Sequence, residues 1–206
     1  MTSISSTPDN ARRERALAVA LEVFGRYGFR RASMDEIARS ADMSRQGLYL
    51  HFANKEALFR AAVRKELDAA LGDVDRCLHE EGVGLERRVV AALDAWLGRY
   101  VGSLLASDIG NLLQDPAMEL GDIVDPARAA FGARLDAAIA AAMSEKDRRR
   151  LGVTPQEVAG AVHTVAQGAR YLSNARAESR EEFVAQVTAA VHVVFAGFGT
   201  TAKRTP

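Results

Sequence analysis

The chain has 206 residues, 48% hydrophobic and 26% charged. That is the balance of a globular protein with a sizeable core, and it excludes both a disordered chain and a membrane-embedded one. The formal net charge of zero conceals an asymmetry: residues 1–65 hold 12 Lys+Arg against 7 Asp+Glu and residues 66–206 hold 15 against 20, so the positive N-terminal third is where phosphate contact is expected.

Glycine and proline signals divide the chain into helical segments, and no alternating apolar pattern of useful length is present, so the fold is expected to be all-α. A polar, disordered tail over 1–9 precedes a first helix capped by Asp9 or Asn10. Its apolar face is Leu17, Ala20, Leu21 and Phe24, and it ends near Tyr27-Gly28. Ser33 and Glu36 have capping-box spacing and open a short second helix that stops by Asp42. A third helix starts at Ser44 and reaches only about Leu50. The fourth is capped by Asn54, turns Leu58, Ala62 and Leu67 inward, and runs to about Glu81. Cys77, the sole cysteine, lies in it as a packing residue and forms no internal disulfide.

Beyond the break at Gly82 to Gly84, Leu85 to Leu105 reads as a helix, followed by a less regular stretch from Ser107 to Val124. Asp125-Pro126, a capping acid before a first-turn proline, predicts the start of a helix reaching Met143. Thr154-Pro155-Gln156-Glu157 and Ser179-Arg180-Glu181-Glu182 predict the starts of two last helices, ending near Asn174 and Gly197. These divisions give a tail over 1–9, a three-helix module over 10–53 and a larger helical domain over 54–206.

Two short helices joined by a tight turn can present the second to the DNA major groove while the first crosses the backbone. Ile37, Ala38, Ala41, Met43 and Leu48 form the apolar underside of such a pair. The opposite face carries Ser44, Arg45, Gln46, Gly47, Tyr49, His51 and Lys55. Arg45 and Gln46 have donors suited to guanine and adenine edges. Gly47 allows close backbone approach, while Ser44, Tyr49, His51 and Lys55 can donate to phosphates. Ser33, at a helix N-terminus, is a further phosphate candidate. A generic helical hairpin with a solvated polar face fits the periodicity and charge equally well.

The strings Ala20-Leu21-Glu22-Val23-Phe24, Tyr27-Gly28-Phe29, Ser33-Met34-Asp35-Glu36-Ile37-Ala38, Ala41-Asp42-Met43-Ser44 and Gly47-Leu48-Tyr49-Leu50-His51-Phe52-Ala53-Asn54-Lys55-Glu56-Ala57-Leu58 resemble the DNA-binding domain of the tetracycline-repressor (TetR) family over about residues 11 to 64. The resemblance implies phosphate contacts from Ser33, Tyr49, His51 and Lys55, groove entry by Ser44 to Gly47, and no catalysis or cofactor. It also implies a homodimer on a palindromic operator and repression by promoter occlusion, relieved when a small-molecule effector binds. One position departs from the family: Asp42 stands where glycine is usual, and aspartate tolerates the left-handed backbone that the turn needs.

For dimerisation, Val158, Val162, Val165, Ala169 and Leu172 recur at helical spacing, as do Phe183, Val187, Ala190, Val191, Val194 and Phe198, and two such helices per subunit would make a four-helix interface. An intramolecular core is the alternative for both stripes. Trp96, Tyr100, Met118, Phe131 and Leu135 could line an apolar cavity, with His163, Gln167 and Tyr171 as its polar groups; plain core or surface is the alternative for each. A mostly apolar small molecule is the ligand this composition suggests. An enzyme reading lacks parts: there is no glycine-rich phosphate loop or nucleophile elbow, and His51, His79, His163 and His192 lack metal-ligand spacing. A DNA binder with no ligand response stays open. With no run of about 18 apolar residues and no leader pattern at Met1 to Asn10, a cytoplasmic location is expected.

Overall fold

The computed structural model describes residues 8–101, 120–176 and 179–196. Among the described residues the regular structure is entirely helical: α1 Pro8–Arg31, α2 Met34–Ser40, α3 Arg45–His51, α4 Lys55–Leu78, α5 Leu85–Leu97 with a 3-10 turn at Gly98–Tyr100, α6 Gly121–Ala142, α7 Glu145–Leu151, α8 Pro155–Arg176 and α9 Arg180–Ala196. Contacts divide them into two compact units, parted within α4 after Leu67 and within α6 after Val124.

The first unit is built around the short pair α2 and α3. Gly28 interrupts α1 with φ 76°, a left-handed conformation that glycine adopts without strain and that turns the chain toward α2. Ser33 Oγ accepts from the Glu36 amide at 3.2 Å, Ser44 Oγ from Gly47 at 2.9 Å and Asn54 Oδ1 from Ala57 at 2.7 Å, so α2, α3 and α4 each start on a side-chain cap. Between α2 and α3, Asp42 has φ 56°. The tight turn is closed by amide bonds from Ala41 to the Ile37 carbonyl and from Met43 to that of Ala38, both 2.9 Å. Leu17, Ala20, Phe24, Ile37, Ala38, Ala41, Leu48, Leu58, Phe59 and Ala62 are buried together, joined by Leu120, Ile123 and Val124.

In the second unit α9 packs against α8 and α5, and Val74, Val89, Leu93, Phe131, Leu135, Ile139, Val162, Phe183 and Val191 form its core. The capping box at α8 is complete: Glu157 Oε2 accepts from the Thr154 amide at 2.7 Å while Thr154 Oγ1 accepts from the Glu157 amide at 3.2 Å. Those bonds hold the exposed Glu157 carboxyl below its ordinary 4.5, backbone bond first, so the box's contribution is present above that pH and lost as the pH falls. Ser179 and Glu182 repeat the arrangement at 2.7 and 3.2 Å.

Several expectations are corrected. Asp9 and Asn10 lie inside α1, which begins at Pro8. Pro126 is inside α6, not at its first turn, because the helix already starts at Gly121 with the Leu120 carbonyl accepting from Ile123 and Val124 at 2.9 Å. A short helix, α7, capped by Ser144 and ended by Gly152, was not expected at all.

The predicted dimer stripes also change face. Val158, Val162, Ala169, Phe183, Val187 and Val191 are buried in their own unit's core, whereas Val165 and Leu172 are exposed and Ala190 and Val194 half-buried. Helices this rich in alanine and valine carry apolar residues on more than one face, and the large Phe183 draws its own stripe inward. Phe198, and the tail before Pro8, lie outside the described residues.

Asp42→Val is expected to cost about 1–2 kcal/mol, since a β-branched residue resists positive φ, with Asp42→Gly staying within about 1 kcal/mol of the parent; urea denaturation of the three proteins measures the difference.

Candidate nucleic-acid interface

A helix as short as α3, seven residues, has negligible stability alone and depends on what lies under it. Leu48 is fully buried and Phe52, at its C-cap, nearly so; burying a leucine contributes roughly 2 kcal/mol. Behind them Phe24, Phe29 and Phe59 make a three-ring cluster, with Phe24 and Phe59 edge to face at 5.0 Å and 82°. The Arg13 guanidinium lies 5.5 Å from the Phe52 ring centre.

With that underside fixed, Ser44, Arg45, Gln46 and Tyr49 are exposed on one outward surface, and Gly47 lies half-buried among them. Arg45 Nη1 donates to Asp35 Oδ2 at 3.0 Å, and its guanidinium carbon is 5.7 Å from the Tyr49 ring centre. A Cβ at Gly47 would meet the Ser44 hydroxyl at 3.1 Å, so glycine keeps the α3 cap uncrowded and leaves the outer side open. Beside α3 is a depression of about 310 Å³ lined by Ala32, Ser33, Met34, Asp35, Arg45, Tyr49 and Lys55. Ser33 faces it at the start of α2, its oxygen accepting from Glu36 and its O–H proton free to be donated.

Two predicted phosphate donors turn toward their own chain. His51 is only 11% exposed at its side chain, with Nε2 3.4 Å from Asp9 Oδ1. Lys55 Nζ donates to the carbonyls of Phe29 at 2.7 Å, Ala32 at 3.0 Å and Arg30 at 3.3 Å, and lies 4.5 Å from the Phe29 ring centre. Those carbonyls end the first helical stretch, where a cation satisfies acceptors left without partners. Leu50, 82% exposed, was missed in the sequence. Its signal was its place two residues from buried Leu48, on the opposite face of α3. An apolar side chain beside Arg45 and Gln46 suits a thymine methyl. Asp35, which holds Arg45, was missed too.

The predicted effector residues divide. Trp96 stacks on Phe131 at 5.0 Å and 9°, Phe131 meets the His163 ring edge-on at 5.1 Å, and Leu135 is buried in the same core. Among the described residues His163 Nε2 is buried without a hydrogen-bond partner; burial, and then the charge of Arg128, hold its imidazole below the usual histidine range. Gln167 and Tyr171 do not join this group: both are exposed, Tyr171 at 75%, because fourfold spacing drifts around the helix over two turns. The Tyr100 side chain and Met118 lie outside the described residues. Among those residues no cluster of His, Cys, Asp or Glu could hold a metal, and no helix is long and apolar enough to cross a membrane.

Two short helices meeting at a tight turn, the second with a buried spine and a polar outer face, define a helix-turn-helix DNA-binding domain. Residues 16–62 match the family described as bacterial regulatory proteins, tetR family. Similar proteins include the HTH-type transcriptional activator FasR of Mycolicibacterium smegmatis, 35% identical over 43% of this chain and 40% of its own length. The HTH-type transcriptional repressor Rv1474c of Mycobacterium tuberculosis is 31% identical over 47% of this chain and 51% of its own. The chain thus matches only about half or less of these relatives' lengths. The whole fold is similar to the fatty acid degradation regulator FadR of Bacillus halodurans, with a TM-score of 0.70 at 12% identity over 98% of this chain and 100% of that one. It also resembles Escherichia coli NemR in reduced form, TM-score 0.69 at 17% identity over 93% and 99%.

Lys55→Met is expected to lower stability by about 1–3 kcal/mol, because the carbonyls of Phe29, Arg30 and Ala32 lose a charged donor. Chemical denaturation without DNA reads this, and an unchanged midpoint would return Lys55 to a purely phosphate-binding role.

Proposed function

We propose that this chain is a homodimeric transcriptional repressor that reads a palindromic operator through α3 and releases it when a small, mostly apolar molecule binds the second unit. The observation that carries the reading is the outward face of α3, where Arg45, Gln46 and Tyr49 stand exposed above fully buried Leu48. Arg45 reads a guanine edge and Gln46 an adenine edge, while Tyr49, Ser44 and Ser33 hold phosphates and fix register. His51 and Lys55 act near the phosphates mainly by bracing α1 and α4. The reading involves no catalytic step and no cofactor, and it implies a cytoplasmic location, where a regulator of this kind meets DNA.

One such domain contacts a single half-site, so discrimination calls for two copies set about one helical turn apart. The surface that supports pairing is the outer face of α8 and α9, where Val165, Leu172 and Tyr171 are exposed together with 73%-exposed Val193. Small Gly160, Ala161, Gly168 and Ala189 are exposed on the same two helices and allow close helix approach. This seam keeps Val165 and Leu172 of the stripe expected from the sequence and leaves out its buried members Val158, Val162 and Ala169. A ligand shifts operator affinity only by the difference in its own affinity for the two states. Continuous α4, which supplies residues to both units, is the element proposed to carry that difference. Among the similar proteins one is called an activator and another a repressor; repression is preferred here as the simpler consequence of occupying a promoter.

Selection of genomic fragments bound by the purified protein is expected to recover a palindrome, and Arg45→Ala to lose about 1–3 kcal/mol of discrimination at one guanine per half-site. Unchanged preference at fixed salt would sink the assignment. Val193→Asp is expected to convert a dimer to a folded monomer in sedimentation; a dimer that persists would move the interface elsewhere.

A further inference from the structure

With α3 taken as the helix that enters the major groove, the line of its side chains farthest from the core is set by Leu48, which is fully buried. Each helical residue turns by about 100°, so the residues two before and two after Leu48 both project about 160° away from it. They are Gln46 and Leu50, about 40° apart and one turn along from each other. Arg45 and Tyr49 stand on one flank of this crest, where Asp35 holds Arg45 at 3.0 Å, and His51 stands on the other, turned toward Asp9. The crest that meets the groove floor thus carries one amide and one bare hydrocarbon.

Leu50 is 82% exposed, more than any other large apolar side chain among the described residues. It adds nothing to the underside of α3, which Leu48 and Phe52 already hold. Single surface hydrophobics are common and carry no message by themselves. What separates Leu50 is its place, on the crest of the helix whose other outward side chains, Ser44, Arg45, Gln46 and Tyr49, all carry polar groups. A side chain there leaves water whenever α3 enters a groove. The apolar group that base edges present in the major groove is the 5-methyl of thymine, whereas guanine, adenine and cytosine offer donors and acceptors that a leucine covers without pairing. The same residue therefore favours one base and penalises the others.

We propose that Leu50 is a specificity-determining residue that packs on the 5-methyl group of one thymine in each half-site, beside the base met by Gln46. Four residues of helix span about 6 Å, less than two base-pair steps of about 3.4 Å each. The thymine therefore lies within about two base pairs of the partner of Gln46. Arg45 and Gln46 choose their bases by hydrogen bonds, and Leu50 adds a choice made by hydrocarbon contact alone.

Replacing thymine by deoxyuridine in the selected operator removes the methyl and leaves every hydrogen-bonding group in place. With the full-length protein at fixed salt, thymines are replaced one position at a time, in both half-sites together. At one position the change is expected to weaken binding at least about fivefold, the scale of two methyl-sized groups returned to water. Leu50→Ala is expected to bind the thymine operator at least about fivefold more weakly and to distinguish thymine from uracil there by less than about twofold. Leu50→Met, which keeps an apolar body, retains the distinction. Both changes lie on the surface, so the melting temperature without DNA holds. The proposal is overturned by the absence of any thymine sensitive to its methyl, by a sensitivity that persists in Leu50→Ala, or by equal weakening on operator and unrelated duplex. A changed oligomeric state of free Leu50→Ala also overturns it, by assigning the side chain to a protein contact. Arg45→Ala in the same assay separates the proposal from the reading it rests on. Lost guanine discrimination in Arg45→Ala beside an unaltered thymine preference in Leu50→Ala removes Leu50 alone and keeps α3 in the groove. A protein that selects no operator removes both.

Discussion

A seven-residue helix does not hold its shape in water, and the first unit is arranged around that difficulty. Nucleating a helix costs more than so few hydrogen bonds return, so α3 is rigid only through what it touches. Leu48 and Phe52 anchor it from below, small Ala38 and Ala41 let α2 lie close, and the Phe24, Phe29 and Phe59 rings fill the space behind. Lys55 then ties the start of α4 to the end of α1 through three carbonyls. Shortness is what lets the helix enter a groove, and the price of shortness is this dependence on neighbours.

The same logic orders the outer surface. Arg45 is held by Asp35 and lies against Tyr49, so fewer of its rotamers remain to be lost on contact than a free arginine would lose. The acid that positions it also repels phosphate, which is why the proposed reading gives Arg45 a base edge and not the backbone. Asp42 stands at the turn and, among the described residues, has only a distant partner, Arg15 at 3.8 Å. The turn keeps its shape through main-chain bonds and not through that ion pair, which at a solvated surface contributes little.

The all-helical fold and the capped helix starts were legible in the sequence because caps are local chemistry. Ser33, Asn54, Thr154 and Ser179 each have an amide partner three residues on, and these four expected caps formed, whereas those expected at Asp9 or Asn10 and at Asp125 lie inside helices. Asp42 was legible for the same reason. What failed was direction. Spacing shows that Val158 and Val162 share a face but not whether that face meets the same chain or another, and it was Phe183 that settled the matter from a different helix. Pro126 misled because proline most often marks a helix start, whereas here it is the sixth residue of α6 and forgoes one main-chain bond inside the helix. Lys55 and Asp35 were beyond local reading, since each is defined by a partner brought in from another part of the chain, whereas the exposure of Leu50 follows from its offset from buried Leu48. In the second unit, Trp96 and Phe131 were singled out by composition alone, and their stacking is visible only in the fold.

The commitment of Lys55 has one more effect. Residues 1–65 contain only two lysines among their twelve cations, and both are occupied: Lys55 by carbonyls and Lys65 by Glu14 at 2.6 Å. The other ten cations are arginines, whose guanidinium charge stays in place throughout the biological pH range. Neither alkalinity nor acylation of lysine can discharge it, so the attraction of this domain for a nucleic-acid backbone is insulated from the cell's commonest means of erasing a positive charge.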